Sequence, residues 1–306
     1  MSRATEQSLK ALHEFVSKYP TKDMTMEEVN ALLQEHLGEI NNSIHRIMTE
    51  KEAKTADDFL DLTEQALMRG DDEEALRFTR KANKLDPQNL DARLLEIRLG
   101  EKDPRRALVS LRKAAEMGRK QLEKAGFFRE EYIGDFWGVL ETRPYMRVRN
   151  EYVSLLKELG MLRQAAREAE DMIQLNTQDN LGLHFTLMHI YAALEEAGLA
   201  EELLSKYSEN EEGQMLLPLT LLYYKLGEMK KAEDSLMRLV KTIKDTKRFV
   251  KDILSGKMED KIVEIHERGG YSPYSEEELL MAWYENGDVY DSSPFFFQWA
   301  ADVLKV

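Results

Sequence analysis

Apolar side chains recur along most of the chain at three- and four-residue spacing, the period of helices with one buried face. A first helix is expected over residues 5–17 and is broken at Tyr19-Pro20. A second is expected from Thr25. There Glu28 stands three residues after a Thr, so that each side chain can satisfy the other's free backbone N–H, and Met26, Val29, Leu32, Leu33 and Leu37 form the apolar side. Residues 38–55 are polar and mixed and read as a further helix leading into the main array.

From Ala56 the pattern becomes periodic on a longer scale. Residues 56–89 read as helix, Gly-Asp turn, helix, then a turn at Pro87. Gly70 can enter the turn without a Cβ penalty. Ala75, Thr79, Ala82 and Leu85 run up one face of the second helix, where small residues allow close approach, with Phe78 and Leu85 filling the flanks. Similar faces recur at Ala107, Leu111, Ala114 and Met117; at Ala165, Ala169, Met172 and Leu175; around Leu187, Tyr191, Ala200 and Leu203; and at Ala232, Leu236 and Leu239. The register alanines 75, 107, 165, 200 and 232 step by 32, 58, 35 and 32 residues, so one step is too long. A repeat of this period is expected to build a helical solenoid, because each hairpin buries its apolar face only against its neighbours.

The long step holds an aromatic insertion, with Phe127, Phe128, Tyr132, Phe136 and Trp137 around two glycines. Beyond Val240, expected elements are a helix over residues 246–254, a break at Gly269-Gly270, a helix from about Ser275 and a last one over residues 294–304. Phe295, Phe296, Phe297 and Trp299 suit a segment that covers the terminal apolar face.

The helical hairpins of residues 56–241 resemble tetratricopeptide repeats. The segments ETRPYMR (141–147), LNTQDNLG (175–182) and YSEEE (274–278) also resemble the repeat region of the suppressor of tumorigenicity 7 family, which offers no activity to carry over. The resemblance to tetratricopeptide proteins implies an all-α solenoid whose concave groove binds peptides or partner surfaces. The expected organisation is an N-terminal helical cap (1–55), a first repeat block (56–125), the aromatic insertion (126–145), a second block (146–241) and a helical, aromatic C-terminal cap (242–306). The paired Lys/Asn arrangement with which chaperone-binding members hold a terminal carboxylate is not matched, since Ser154 and Lys157 stand where it would need other residues.

Composition narrows the chemistry. No cysteine is present, which excludes disulfides, thiolate metal sites and cysteine nucleophiles. The formal charge of −14 argues against a dedicated nucleic-acid binder. No apolar run approaches a membrane span, and the first residues, MSRATEQSLKALHEF, lack the uninterrupted apolar stretch expected of a signal peptide. A soluble, cytoplasmic protein is the expectation. No phosphate-binding or nucleophile-elbow motif occurs, and the six histidines form no metal pattern. Histidines that are merely hydrogen-bonded, no cofactor, no metal and no catalysis are the expectation.

Charge leaves one lead. Residues 93–129 hold 11 Lys/Arg against 5 Asp/Glu, and Arg143, Arg147, Arg149, Arg163 and Arg167 extend the excess. This stretch is read as solvated surface, as a grip for an acidic peptide, as an RNA-binding face, or as a partner for the chain's own acidic tail, residues 271–306 with seven Asp/Glu and one Lys. The residues expected to contact a partner are Arg143, Tyr145, Arg147 and Asn150, where Pro144 suits a helix start, and His189, Leu217, Leu221 and Tyr224 on later first helices. The leading expectation is an adaptor that binds a protein or acidic peptide in a groove. An RNA-associated regulator and a homotypic assembly subunit are the alternatives.

Overall fold

The computed structural model describes residues 49–207 and 212–306, and before them residues 6, 24, 25, 27–31 and 34–35. The helix expected over residues 5–17 lies outside the described residues except for Glu6. At the second expected start, Thr25 N–H donates to Glu28 Oε2 at 2.8 Å and Glu28 N–H to Thr25 Oγ1 at 3.3 Å, and residues 27–31 are helical. Residues 49–55, the described part of the third expected helix, are turn, bend and coil.

All regular structure among the described residues is helical. In chain order the helices are α1 (Ala56–Met68), α2 (Asp72–Leu85), α3 (Leu90–Gly100), α4 (Pro104–Ala125), α5 (Arg143–Glu158), α6 (Leu162–Leu175), α7 (Leu183–Leu194), α8 (Ala197–Lys206), α9 (Gly213–Lys225), α10 (Met229–Thr242), α11 (Thr246–Ser255), α12 (Glu259–Arg268), α13 (Glu276–Tyr284), α14 (Gly287–Asp291) and α15 (Phe296–Leu304). The chain divides into two compact units, Met1–Glu151 and Tyr152–Val306. Within each unit, sequential helices pack on one another in the manner of an α-solenoid: α1 on α2, α2 on α3 and α3 on α4 in the first; α6 on α7, α7 on α8 and α9, and α9 on α10 in the second.

The hairpins share their turn chemistry. At the end of α1, Gly70 has φ of +72° while Asp71 N–H bonds Ala66 O at 3.0 Å. Gly160 and Gly227 repeat the conformation, with Met161 N–H on Leu156 O and Glu228 N–H on Tyr223 O. Each is a left-handed stop that satisfies carbonyls left over at the helix end. At the end of α7 the same bond runs from Glu196 N–H to Tyr191 O, but the left-handed residue is Glu195, with φ of +60°.

The packing shares a second device. Thr63 donates back to Phe59 O and meets Thr79 Oγ1 at 3.2 Å across the α1–α2 contact. Thr220 likewise donates to Leu216 O and lies 2.9 Å from Ser235 Oγ across α9–α10. These buried hydroxyl pairs sit one turn from Ala75 and Ala232. Ala75, Ala165, Ala200 and Ala232 are all 0% exposed, as the register expects. Ala107 is not: it is half-buried, and Leu111, Ala114 and Gly118 form the buried face of α4. A Cβ on Gly118 would meet Leu90 Cδ1 at 2.7 Å and Tyr145 Cδ2 at 2.9 Å. Leu85, expected to fill a flank, is 53% exposed because α2 ends there.

After the 22-residue α4, Gly126 turns the chain left-handedly. Phe128 then meets Phe136 and Tyr145 at ring distances of 5.2 and 6.2 Å, and Phe136 and Trp137 are buried. In the second unit α11, α13 and α15 fall on the expected helices, whereas α12 and α14 were not expected. Phe296 and Phe297 are buried in one cluster with Leu217, Leu221, Phe249, Leu279 and Tyr290, and α15 packs on α11.

Glu195 gives a direct test of the turn chemistry. A non-glycine residue in the left-handed region costs about 1 kcal/mol or more. The Glu195–Lys225 pair at 3.4 Å, half exposed at its Glu195 end, returns only part of it, since Lys225 keeps its bonds to Ala192 O and Ala193 O. Glu195→Gly is therefore expected to raise the urea midpoint by roughly 0.5–1 kcal/mol equivalent, while Gly227→Ala lowers it by about 1 kcal/mol. Loss of stability in Glu195→Gly would contradict the assignment.

Candidate functional site

The candidate residues of the first unit stand at the start of α5. The short 3₁₀ turn Leu140–Thr142 precedes it, with Thr142 Oγ1 donating to Phe136 O and to Val139 O. Arg143 is buried; its Nε donates to Trp137 O at 2.7 Å, and its guanidinium lies 5.4 Å from the Trp137 ring. Tyr145 is buried against Phe128, with the Arg149 guanidinium 5.5 Å from its ring. Asn150 is half-buried one turn beyond Arg147.

Arg147 is the most constrained of the set. Its Nε and Nη2 form a two-pronged contact with Asp91 at 2.8 and 2.7 Å, and its Nη1 donates to Glu6 Oε1 at 2.6 Å. Arg143 Nη1 lies 3.6 Å from the same Glu6 oxygen, and the Glu6 side chain is only 6% exposed. Burial works against the charge of Arg147, but hydrogen bonds and charge from Asp91 and then Glu6 outweigh it and hold its pKa above the ordinary value. Two guanidinium groups thus converge on one carboxylate, and forked donors are the side chains best matched to that geometry.

His189, Leu217, Leu221 and Tyr224 lie in the second unit, on α7 and α9, and the chain's own C-terminal helices cover them. His189 donates through Nδ1 to Phe185 O at 2.9 Å and accepts at Nε2 from the Tyr290 hydroxyl at 3.3 Å. Leu217 and Leu221 are 1% and 0% exposed within the C-terminal cluster. Tyr224 packs between Phe296 and Trp299 at 5.5 and 5.2 Å. The eight candidates therefore belong to two places: four around a carboxylate-binding arginine pair, and four beneath aromatic side chains of the same chain.

The wider basic stretch is broken up by local pairing. Arg105 meets Asp103, Arg112 meets Glu116, Arg119 meets Glu123, Arg129 meets Glu131, and Arg98 meets Glu151. These pairs are mostly exposed and contribute little to stability. Acidic residues of the tail are engaged inside their own unit. Glu276 takes Arg248 and Lys261, Glu277 takes Arg268, and Glu278 accepts Gln214 N–H at 3.0 Å and Tyr274 N–H at 2.6 Å.

Asp179 and His184 form a pair that sequence reasoning did not single out. Asp179, at φ of +45°, accepts Leu183 N–H at 3.0 Å and His184 N–H at 2.7 Å and lies 2.6 Å from His184 Nδ1. The His184 ring stacks on Tyr207 at 4.3 Å. The carboxylate is engaged by the first N–H groups of α7, where negative charge is favoured, so the pair reads as a cap. The Asn-Thr-Gln-Asp-Asn run before α7 was the available signal. Among the described residues no cluster of His, Asp and Glu suits a metal, and no helix is long and apolar enough to cross a membrane.

No protein-family model matches the chain, and no match is found among curated proteins. The architecture stands at the level of an all-helical protein with repeating helix–helix packing.

His189 yields a pH test. Burial pushes its pKa down to about 4; the Phe185 carbonyl opposes the shift and the nearby Lys157 charge adds to it. Tyr290 also faces the ring but carries no charge in this range. The unfolded chain takes up the proton near 6.5, so the neutral ring's contribution is intact above about 6.5 and is lost as pH falls towards 4, by about 3 kcal/mol in all. Urea midpoints between pH 7.5 and 4.5 should fall more steeply for the wild type than for His189→Phe. Equal slopes would contradict this origin of the pH dependence.

Proposed function

We propose that the protein is a non-catalytic interaction scaffold of the tetratricopeptide type, working in the cytoplasm, and that it grips an acidic protein segment at Arg143 and Arg147. One observation carries the reading: the Glu6 carboxylate accepts a hydrogen bond from Arg147 at 2.6 Å and is approached by Arg143 at 3.6 Å. A side chain of this chain thus stands in for what a partner would present. Trp137 and Tyr145, beside the two arginines, give the site rigid walls. The hairpin periodicity, the shared left-handed turns and the buried register alanines support the repeat assignment.

A nucleic-acid reading draws on the exposed arginines between Arg93 and Arg129. It differs in its salt response, because binding to phosphates releases counterions and weakens steeply with salt. The homotypic reading draws on Phe295, which is 73% exposed while Phe296 and Phe297 are buried.

The test is fluorescence anisotropy of the full chain with a labelled Glu-rich peptide and, separately, a single-stranded RNA of equal charge. Glu6→Gln removes the internal carboxylate and is expected to tighten peptide binding several-fold. Arg143→Gln with Arg147→Gln is expected to weaken it at least tenfold. RNA binding in preference to peptide, or peptide binding indifferent to all three substitutions, would overturn the proposal.

A further inference from the structure

The second unit contains a cavity of about 580 Å³ between the end of α5, residues of α7 and α9, and the α13–α14 corner. Its wall carries two lysines in different situations. Lys225 is provided for: its Nζ donates to Ala192 O and Ala193 O at 3.0 and 3.2 Å and lies 3.4 Å from the Glu195 carboxylate. Lys157 is not. Its Nζ donates to Asn286 Oδ1 at 2.6 Å and to Glu285 O at 3.3 Å, both uncharged acceptors. Among the described residues no carboxylate lies within ion-pair distance of it.

An ammonium has three N–H donors, so one remains for whatever enters the cavity. The Asn286 amide is held in the orientation that receives Lys157, because its Nδ2 donates to Ala282 O at 2.8 Å. Burial pulls the Lys157 pKa down, with the more distant charges of Glu285 and Asp288 working the other way. The amine is therefore fixed and desolvated, and it has no ion-pair partner among the described residues. A simple anion does not suit the remaining lining, since Glu158, Glu285 and Asp288 also border the cavity and are solvent-exposed. The complement of this wall is one carboxylate for Lys157 and positive charge for the three acidic side chains. Leu162 and Tyr284 line the same space and suit an aliphatic stem. The volume falls within the range of small-ligand sites.

We propose that this cavity binds a basic α-amino acid, free or as a peptide C-terminus, with its carboxylate on Lys157 and its cationic groups towards Glu158, Glu285 and Asp288. The site uses none of the residues around Arg143 and Arg147, so neither proposal stands or falls with the other.

Calorimetric titration of the full chain tests it with three probes: L-arginine; agmatine, which keeps the cationic groups and lacks the carboxylate; and the tripeptide Gly-Gly-Arg. Arginine is expected to bind at least tenfold more tightly than agmatine. Lys157→Met should abolish the preference for arginine over agmatine. Asp288→Asn, at an exposed position that leaves the core intact, should weaken both arginine and agmatine. Tripeptide binding equal to that of arginine would identify a peptide terminus as the source; arginine binding without tripeptide binding would identify the free amino acid. Agmatine binding as tightly as arginine, absence of binding by all three probes, or arginine binding unaffected by Lys157→Met would overturn the proposal.

Discussion

Every residue of α9 from Gly213 to Tyr223 is buried, so this helix needs apolar neighbours on all sides, and the second unit is arranged to supply them. Within the repeat, α7 and α10 flank it, and α13 packs on it from the C-terminal segment. The approach is close at its start, where a Cβ on Gly213 would meet Leu279 Cδ2 at 2.6 Å and Ile243 Cδ1 at 2.7 Å. The first N–H groups of α9 would be stranded there by burial. Glu278 reaches across from α13 to accept Gln214 N–H, and burial, outweighing these hydrogen bonds, raises its pKa. Pro218 withdraws one further N–H from the helix interior. Such a helix gains its stability from its surroundings far more than from its own hydrogen bonds, which makes the C-terminal helices part of the core.

The two units therefore present different surfaces. In the second, aromatic side chains of α14 and α15 lie over His189 and Tyr224, while a polar recess around Lys157 is open. In the first, the start of α5 carries a buried and a half-buried arginine, Arg143 and Arg147, whose charge is balanced by Asp91 and Glu6. Burying a guanidinium without such partners is costly, so Asp91 and Glu6 are what allow Arg147 to sit where it does.

The legible part of the fold was its local part. Gly70 announces a turn because it requires only its own backbone conformation, and the alanines at 75, 165, 200 and 232 announce close packing because a small residue is needed wherever two helices touch. Ala107 misled because Gly118 also serves as a small residue on α4, further along the buried face. Leu85 misled because periodicity does not reveal where a helix leaves the core. Arg147 was legible as a candidate, but Asp91 and Glu6 lie 56 and 141 residues away in sequence. Asn286 is 129 residues from Lys157. One sequence carries no signal for pairings of that range, and α12 and α14 lacked an apolar stripe long enough to be recognised.

A helix buried as completely as α9 should form one cooperative core with α15. Hydrogen exchange on the Phe296→Ala/Phe297→Ala double variant examines that coupling, since each truncation of a buried Phe removes about 3–5 kcal/mol. With a shared core, the amides of α9 and α13 lose protection together with those of α15. Faster exchange confined to α15, with α9 as protected as in the wild type, would contradict it.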